Sequence, residues 1–442
     1  MQDSPEPAQD RDARRSQFGW AIYDWANSAY STAFATAFLP LLWAGFFAPA
    51  EGIEILGRTM KPDALWSFLV AFAALVVLLI APTLGAVADM AGAKKRLLIV
   101  FCYVGVAAAA PIALCGAGSY AIVAGLFIVA HVGFIGANVF YDAFLPDIAP
   151  EDEQDGLSSR GFAYGYVGGG LQFAMASAIV MAHERLGLSI TTAMRIGMGM
   201  AILWWAGFAL VTVALLKEER RPAQDSPGPL GYVRVGFARV WRTTRAAGKL
   251  KHLTLFLAAF LAYNNGIQTV IAQVALYAQQ HIPGVGHGNI LATLLAIQFV
   301  ASVGAIAFGR IAGRVGAKRA VMLALGGWIV VVAYVLALDS ATEFFIVGCA
   351  AGLVLGGAQA LSRSLYSVMI PDGVAAEFFG FYSVFNKASA IFGPLVYGLI
   401  RWFVPDPRWA IFSVIVFFAV GLALLAAVDV DQAREDAAAF EA

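Results

Sequence analysis

Twelve apolar stretches, each long enough to cross a hydrocarbon layer of about 30 Å as a helix, follow one another along the 442 residues. They lie near residues 18–47, 64–88, 97–117, 120–145, 161–183, 194–216, 252–280, 290–312, 320–338, 343–370, 378–403 and 408–428. A bilayer core offers no water to backbone N–H and C=O groups, so such stretches must be helices that satisfy themselves. Composition agrees: 60% of residues are hydrophobic and 13% charged, against about a quarter charged in soluble domains. The zero formal net charge leaves no global field directed at nucleic acid. The expected fold is an all-α polytopic membrane protein of 12 transmembrane helices in two pseudo-symmetric six-helix bundles.

Cations orient the chain. Twelve crossings put both termini on one side. With the N-terminus inside, 21 of the 29 Lys and Arg residues fall in inner segments and 6 in outer ones. The remaining two, Arg363 and Lys387, lie within apolar stretches. That asymmetry obeys the positive-inside rule and places both termini in the cytoplasm. Residues 1–16 are polar, carry both signs of charge and lack the apolar core of a signal peptide, so they read as a cytoplasmic tail. A bacterial inner membrane is the expected location.

The longest hydrophilic stretch, 217–251, follows the sixth span and separates two bundles, 17–216 and 252–428; residues 429–442 form a C-terminal tail. Leu230, Val233, Phe237, Val240 and Trp241 fall on one helical face of this linker, with Arg234, Arg239, Arg242 and Arg245 elsewhere. The pattern fits an interfacial helix on the inner leaflet, with a bound soluble partner as the other reading.

The two bundles repeat. Gly85-AVADMAGAKKR follows the second span and Gly309-RIAGRVGAKR the eighth, with Gly92 matched to Gly316 at an offset of 224. Leu145-Pro146-Asp147 after the fourth span matches Ile370-Pro371-Asp372 after the tenth at 225. Two separate anchors give one shift, the organisation of carriers that rock two halves about a midplane site.

The first copy, with Gly85, Asp89, Gly92, Lys94 and Arg96, resembles the GxxxDxxGxKxR signature loop of the major facilitator superfamily. The resemblance implies a conformational latch at Asp89, Lys94 and Arg96, with Asp89 facing the N-terminal end of the eleventh span. The second copy has Gly313 where the first has Asp89, so the latch role is carried only to the first.

Charges inside spans cost about 2.5–3.5 kcal/mol each on insertion scales, so each needs a partner or a task. Asp24, Asp142, Arg363 and Lys387 sum to zero. Asp142 with Arg363 or Lys387 reads as an inner gate or as a static ion pair. Uncharged polar residues gather on helix faces at spacings of three, four and seven. The first span carries Asp24, Asn27, Ser28 and Ser31; the fourth His131, Asn138 and Asp142; the fifth Arg160, Tyr164 and Gln172; the tenth Gln359, Ser362, Arg363 and Tyr366. The seventh carries Asn264, Asn265 and Gln268 near mid-depth. Any one of these could be helix-packing glue; several faces together point to a polar cavity. The runs Gly165–Gly170 and Gly352–Gly357 permit close helix approach, and Gly393-Pro394 marks a kink in the eleventh span.

No GxxxxGK[ST] loop, HExxH or GxSxG occurs, and Cys102, Cys115 and Cys349 lie singly in apolar stretches. No enzyme activity, ATP use, metal or other cofactor is expected.

At finer grain, Tyr23-DWANSAYST, Asn138-VFYDAFLPD, Ser159-RGFAYGYVGGG, Gly356-GAQALSRSLYSVMIP and Glu377-FFGFYSVFNKASAIFGP resemble the vacuole-effluxer-like branch of that superfamily. Its fungal members are associated with amino-acid export from the vacuole during autophagy. The resemblance spans residues 18 to 428 and implies an amino-acid-like substrate. Where that branch suggests an Asp, this chain has Asn265.

The expectation is therefore a monomeric secondary transporter, symporter or antiporter, of a small polar or zwitterionic solute, driven by protons or another ion. Solute contacts are assigned to Asp24, Asn27, Asn138, Gln172, Asn264, Asn265, Gln268, Gln359 and Arg363. Gating or coupling is assigned to Asp24, Asp89, Lys94, Arg96, Asp142, Arg363 and Lys387. The rival readings are an exporter of amphipathic compounds or sugars, and a non-transporting receptor or scaffold acting through the 217–251 loop.

Overall fold

The structure, a computed structural model, describes residues 8–90, 93–218, 228–371 and 375–439. Its helices in chain order are α1 (Ala8–Ala29), α2 (Leu39–Leu42), α3 (Pro62–Met90), α4 (Lys94–Ala109), α5 (Tyr120–Ala143), α6 (Leu145–Ile148), α7 (Glu151–Met181) and α8 (Ile190–Leu215). Then follow α9 (Gly228–Ala247), α10 (Lys251–His281), α11 (His287–Val315), α12 (Ala317–Val335), α13 (Ala341–Ser367), α14 (Ala375–Phe403), α15 (Pro407–Ala426) and α16 (Val430–Ala438). Strands β1 (Ile53–Ile55) and β2 (Arg58–Met60) form one antiparallel hairpin with Ile55 opposite Arg58. Its two-residue turn puts both Leu56 and Gly57 at positive φ, the backbone that matches the twist of the strands.

Among the described residues, ten helices are long and apolar enough to cross a membrane. Two more, α7 with 31 residues and α14 with 29, occupy the positions of the fifth and eleventh apolar stretches.

Local chemistry explains several boundaries. Ser189 caps α8 by accepting from Thr192 N at 3.1 Å, and Asp406 caps α15 by accepting from Arg408 N at 2.9 Å, with Pro407 at the first helical position. Gly316 ends α11 and opens α12 at φ 88°, a conformation that costs glycine nothing. This is the glycine that the internal repeat singled out; its counterpart Gly92 lies outside the described residues.

The first apolar stretch is not one uniform helix. α1 passes into a π-helical segment, Tyr30–Phe38, then α2, then a second π-helical segment, Trp43–Phe47. Pro40 sits between the two. Proline has no N–H to donate and crowds the preceding turn, and wider turns relieve that conflict.

Two compact units emerge from the packing. The first comprises Met1–Leu39, Leu79–Gly116 and Ala121–Ala238. In it α1 lies against α7 and α8, and α4 also packs on α8. Tyr30, Phe134 and Trp205 form its aromatic centre, with the Tyr30 ring 4.8 Å from Phe134 and 5.0 Å from Trp205. The second unit comprises Pro40–Leu78, Ala117–Tyr120 and Arg239–Ala442. In it α10 packs on α14 and α15, α11 on α13, and α12 on α13 and α15. This second unit includes the distal part of the first apolar stretch, the hairpin and the first part of α3. Residues from both halves of the sequence are thus packed together inside it.

Candidate functional site

In the first unit, the polar face expected on α1 is joined to α5. Asn27 Nδ2 donates to Asn138 Oδ1 at 2.7 Å. One turn earlier, Tyr141 OH donates to Asp24 Oδ2 at 3.1 Å. Trp20 stacks on the Tyr141 ring at 4.3 Å and donates its indole N–H to the Tyr141 carbonyl at 2.8 Å. The spacing 20, 24, 27 keeps these side chains on one stripe of α1.

The glycine run of α7 lets that helix lie against the same stripe. A Cβ on Gly165 would stand 2.8 Å from Ser28 Oγ, and one on Gly161 would stand 3.2 Å from Asp24 Oδ2. Farther along this face lies Gln172, fully buried, with neither amide atom paired to a protein group. Asp142 is exposed, one turn beyond Asn138.

At the α3–α4 turn, Lys94 Nζ pairs with Asp147 Oδ2 at 2.6 Å and donates to the Ala143 carbonyl at 3.0 Å. Glu218 accepts from the backbone N–H groups of Lys94 at 2.6 Å and Lys95 at 3.3 Å. A carboxylate there satisfies the open donors at the start of α4 and complements the helix dipole. The two anchors of the internal repeat, the signature loop and Leu-Pro-Asp, are therefore bonded to each other through Lys94 and Asp147. Arg96 is exposed. The expected latch, Asp89, falls in the last turns of α3, where no side chain is described, and Gly92 lies outside the described residues. At the matched position of the second half, Lys318 donates to the Ala426 and Val428 carbonyls at 2.8 and 2.6 Å.

In the second unit, Asn264 and Asn265 are both buried on α10. Asn264 Nδ2 donates to Asn386 Oδ1 at 2.8 Å. Asn265 Nδ2 donates to the Leu261 carbonyl at 2.6 Å, and its Oδ1 accepts from Gly393 N at 2.8 Å. That bracket ties α10 to α14 beside the Gly393-Pro394 step, where Pro394 withholds a donor from the helix ladder. The Asn265 amide engages both of its ends in protein. An ionised Asp could accept from Gly393 but would face the Leu261 carbonyl without a proton to offer. Tyr263 OH lies 2.6 Å from Ser362 Oγ across α10 and α13. Gln268 and Arg363 are half-buried, Lys387 likewise, and Gln359 is exposed.

Three residues here escape the sequence reading. Gln273, two turns beyond Asn265, is buried with both amide atoms unpaired by protein. The spacing Asn265, Thr269, Gln273 was the available signal. Asp63 and Arg401 form a buried ion pair, 1% and 6% exposed, through Arg401 Nε and Asp63 Oδ2. Arg401 Nη1 also donates to the Pro405 carbonyl at 2.6 Å and the Val404 carbonyl at 3.3 Å. Around the pair, Trp66 donates to the Ala272 carbonyl at 3.2 Å and Trp43 to the Pro62 carbonyl at 2.9 Å. A Cβ on Gly398 would stand 3.3 Å from the Ala64 carbonyl, and the Arg58 guanidinium sits 4.9 Å from the Phe403 ring centre. The start of α3 is thus locked to the end of α14 inside the second unit.

The model of the family described as "Vacuole effluxer Atg22 like" matches residues 12–438. The chain belongs to that family. It is 30% identical over 430 residues to the uncharacterized MFS-type transporter YxiO of Bacillus subtilis, covering 96% of this chain and 98% of that one. It is 27% identical over 314 residues to autophagy-related protein 22-1 of Neosartorya fischeri, covering 65% of this chain and half of that one. Its fold matches the inward open xylose transporter XylE from E. coli with a TM-score of 0.64 at 13% identity, over 93% of this chain and 94% of that one. This vacuole-effluxer-like chain is an integral membrane transporter of the major facilitator type.

Proposed function

We propose that the protein is a monomeric secondary transporter that moves a small polar or zwitterionic solute, amino acids first among the candidates, by ion-coupled alternating access. The observation that carries the solute class is the polar stripe of α1, α5 and α7, where Asp24, Asn27 and Asn138 stand on the same unit as the unpaired amide of Gln172. Such a lining favours a ligand rich in hydrogen-bonding groups. Asp24 is the partner for a cationic group and Arg363 for an anionic one. Asn264, Gln268, Gln273 and Gln359 supply further amide contacts, and Asn265 holds α10 to α14.

Alternating access needs a seal at each end. The Asp63–Arg401 lock is our candidate for the seal at one end, and Asp142 with Arg363 or Lys387 for the other, beside the loop of Asp89, Lys94 and Arg96. With α7 and α14 added to the ten apolar helices, the chain crosses the membrane twelve times as two six-helix bundles. The cation asymmetry supports cytoplasmic termini in a bacterial cell, with the Asp63–Arg401 lock on the outer side.

The test is uptake into proteoliposomes, screened over amino acids with and without an imposed pH gradient. Saturable counterflow of at least one amino acid is expected, with gradient-driven accumulation lost in Asp24→Asn while exchange persists. No counterflow for any amino acid would overturn the solute class. Undiminished accumulation by Asp24→Asn would remove that residue from coupling.

A further inference from the structure

We infer that α9 is an anionic-lipid-binding helix: it lies in the headgroup region of the leaflet next to the α3–α4 turn and binds acidic phospholipid headgroups through its arginines.

The helix divides its circumference into three sectors. At 3.6 residues per turn, Tyr232, Gly236 and Ala247 fall within an arc of about 60°. This is the protein side. Gly236 is buried and lies flat against the Pro82 and Thr83 backbone of α3; a Cβ there would stand 2.9 Å from Thr83 N. The next arc, about 80° wide, carries Val233, Phe237 and Trp241. These are 39%, 46% and 71% exposed, so the apolar sector is turned away from the protein. The arc beyond it, again about 80° wide, carries Arg234, Arg245 and Arg242, all exposed.

An aromatic and aliphatic stripe bordered by guanidinium groups fits the boundary between acyl chains and headgroups. Charge selects the lipid. From Ser226 to Lys251 the sequence has Arg234, Arg239, Arg242, Arg245, Lys249 and Lys251 and no acidic residue, which complements anionic headgroups and gains little from zwitterionic ones. The close seat of Gly236 fixes the rotation of the helix about its axis, so the apolar stripe is presented to one occupant in one orientation.

The full-length protein with its three cysteines replaced by serine and Trp241→Cys labelled with an environment-sensitive fluorophore provides the test. It is reconstituted into vesicles of phosphatidylcholine alone or mixed equally with phosphatidylglycerol, with the quencher either on the lipid acyl chain or dissolved as iodide. Stronger lipid quenching in the phosphatidylglycerol vesicles is expected, with that gain reduced about fivefold for each of Arg234→Gln, Arg242→Gln and Arg245→Gln. Three results would overturn the proposal. Quenching by iodide alone would place the stripe in water. Protection from both quenchers would mean that protein covers it, a soluble partner or a second copy. Equal lipid quenching in both vesicles, unchanged by the arginine substitutions, would leave a membrane helix indifferent to headgroup charge.

Discussion

Arg401→Ala is expected to destabilise the folded protein by about 3–5 kcal/mol, because it strands the Asp63 carboxylate in a buried site. The side chains are 5% and 2% exposed, so water cannot take over from the lost guanidinium. The same substitution frees the Val404 and Pro405 carbonyls that Arg401 Nη1 now satisfies. Arg401→Lys keeps the charge but not the planar fork that reaches a carboxylate and two carbonyls together, so it should fall between wild type and Arg401→Ala. The diagnostic variant is the double one. Asp63→Ala with Arg401→Ala removes both charges, and it should lose less than the sum of the two single losses. Thermal unfolding in detergent compares wild type, Arg401→Ala, Arg401→Lys, Asp63→Ala and the double variant. Additive single effects would mean that the two side chains do not support each other.

Gly356→Val is the second large effect, through packing in place of charge. α11 and α13 cross in contact, and a Cβ on Gly356 would run into the Ala301 carbonyl of α11. Nearby, a Cβ on Gly304 would stand 2.9 Å from Leu353 Cα, and one on Gly352 would stand 3.0 Å from the Ile297 carbonyl. Backbone atoms lie in the way, so no rotamer change relieves the overlap and the helices must separate. Overpacking of a core costs about 1–3 kcal/mol, and this position should reach or exceed the upper figure. Gly326→Val is the matched control, since no atom lies near its Cβ position. Folded yield and melting temperature should fall sharply for Gly356→Val and barely change for Gly326→Val. Similar behaviour of the two would remove close approach as the reason for the glycine run.

The features that sequence could reveal are those with a local period. Apolar length located the ten helices long and apolar enough to cross a membrane among the described residues, and spacings of three and four put Asp24 and Asn27 on the stripe that α5 and α7 contact. The glycine runs marked the tight crossings, and the repeat picked out Lys94 and Gly316. Contacts with no period were silent. Asp63 reads as an acid in the first turn of a helix, where the dipole favours one anyway, and Arg401 counts as one more cation at a span end. Nothing in either neighbourhood announces a partner 338 residues away. Asn265 is legible as a polar residue near mid-depth, whereas the donors and acceptors that engage it belong to α14 and to its own preceding turn. The π-helical turns around Pro40 and the Leu56-Gly57 hairpin turn depend on backbone geometry that an apolar pattern does not encode.

The proposed seal at Asp63–Arg401 must open during transport if alternating access runs through that end. The direct measurement is counterflow of the amino acid identified by screening, in Asp63→Cys with Arg401→Cys joined by a short thiol-cleavable cross-linker. Removing both charges together leaves no stranded ion, so this protein should transport before cross-linking. Cross-linking is expected to halt counterflow, and a reductant to restore it. Full counterflow through the cross-linked protein would contradict opening at that end.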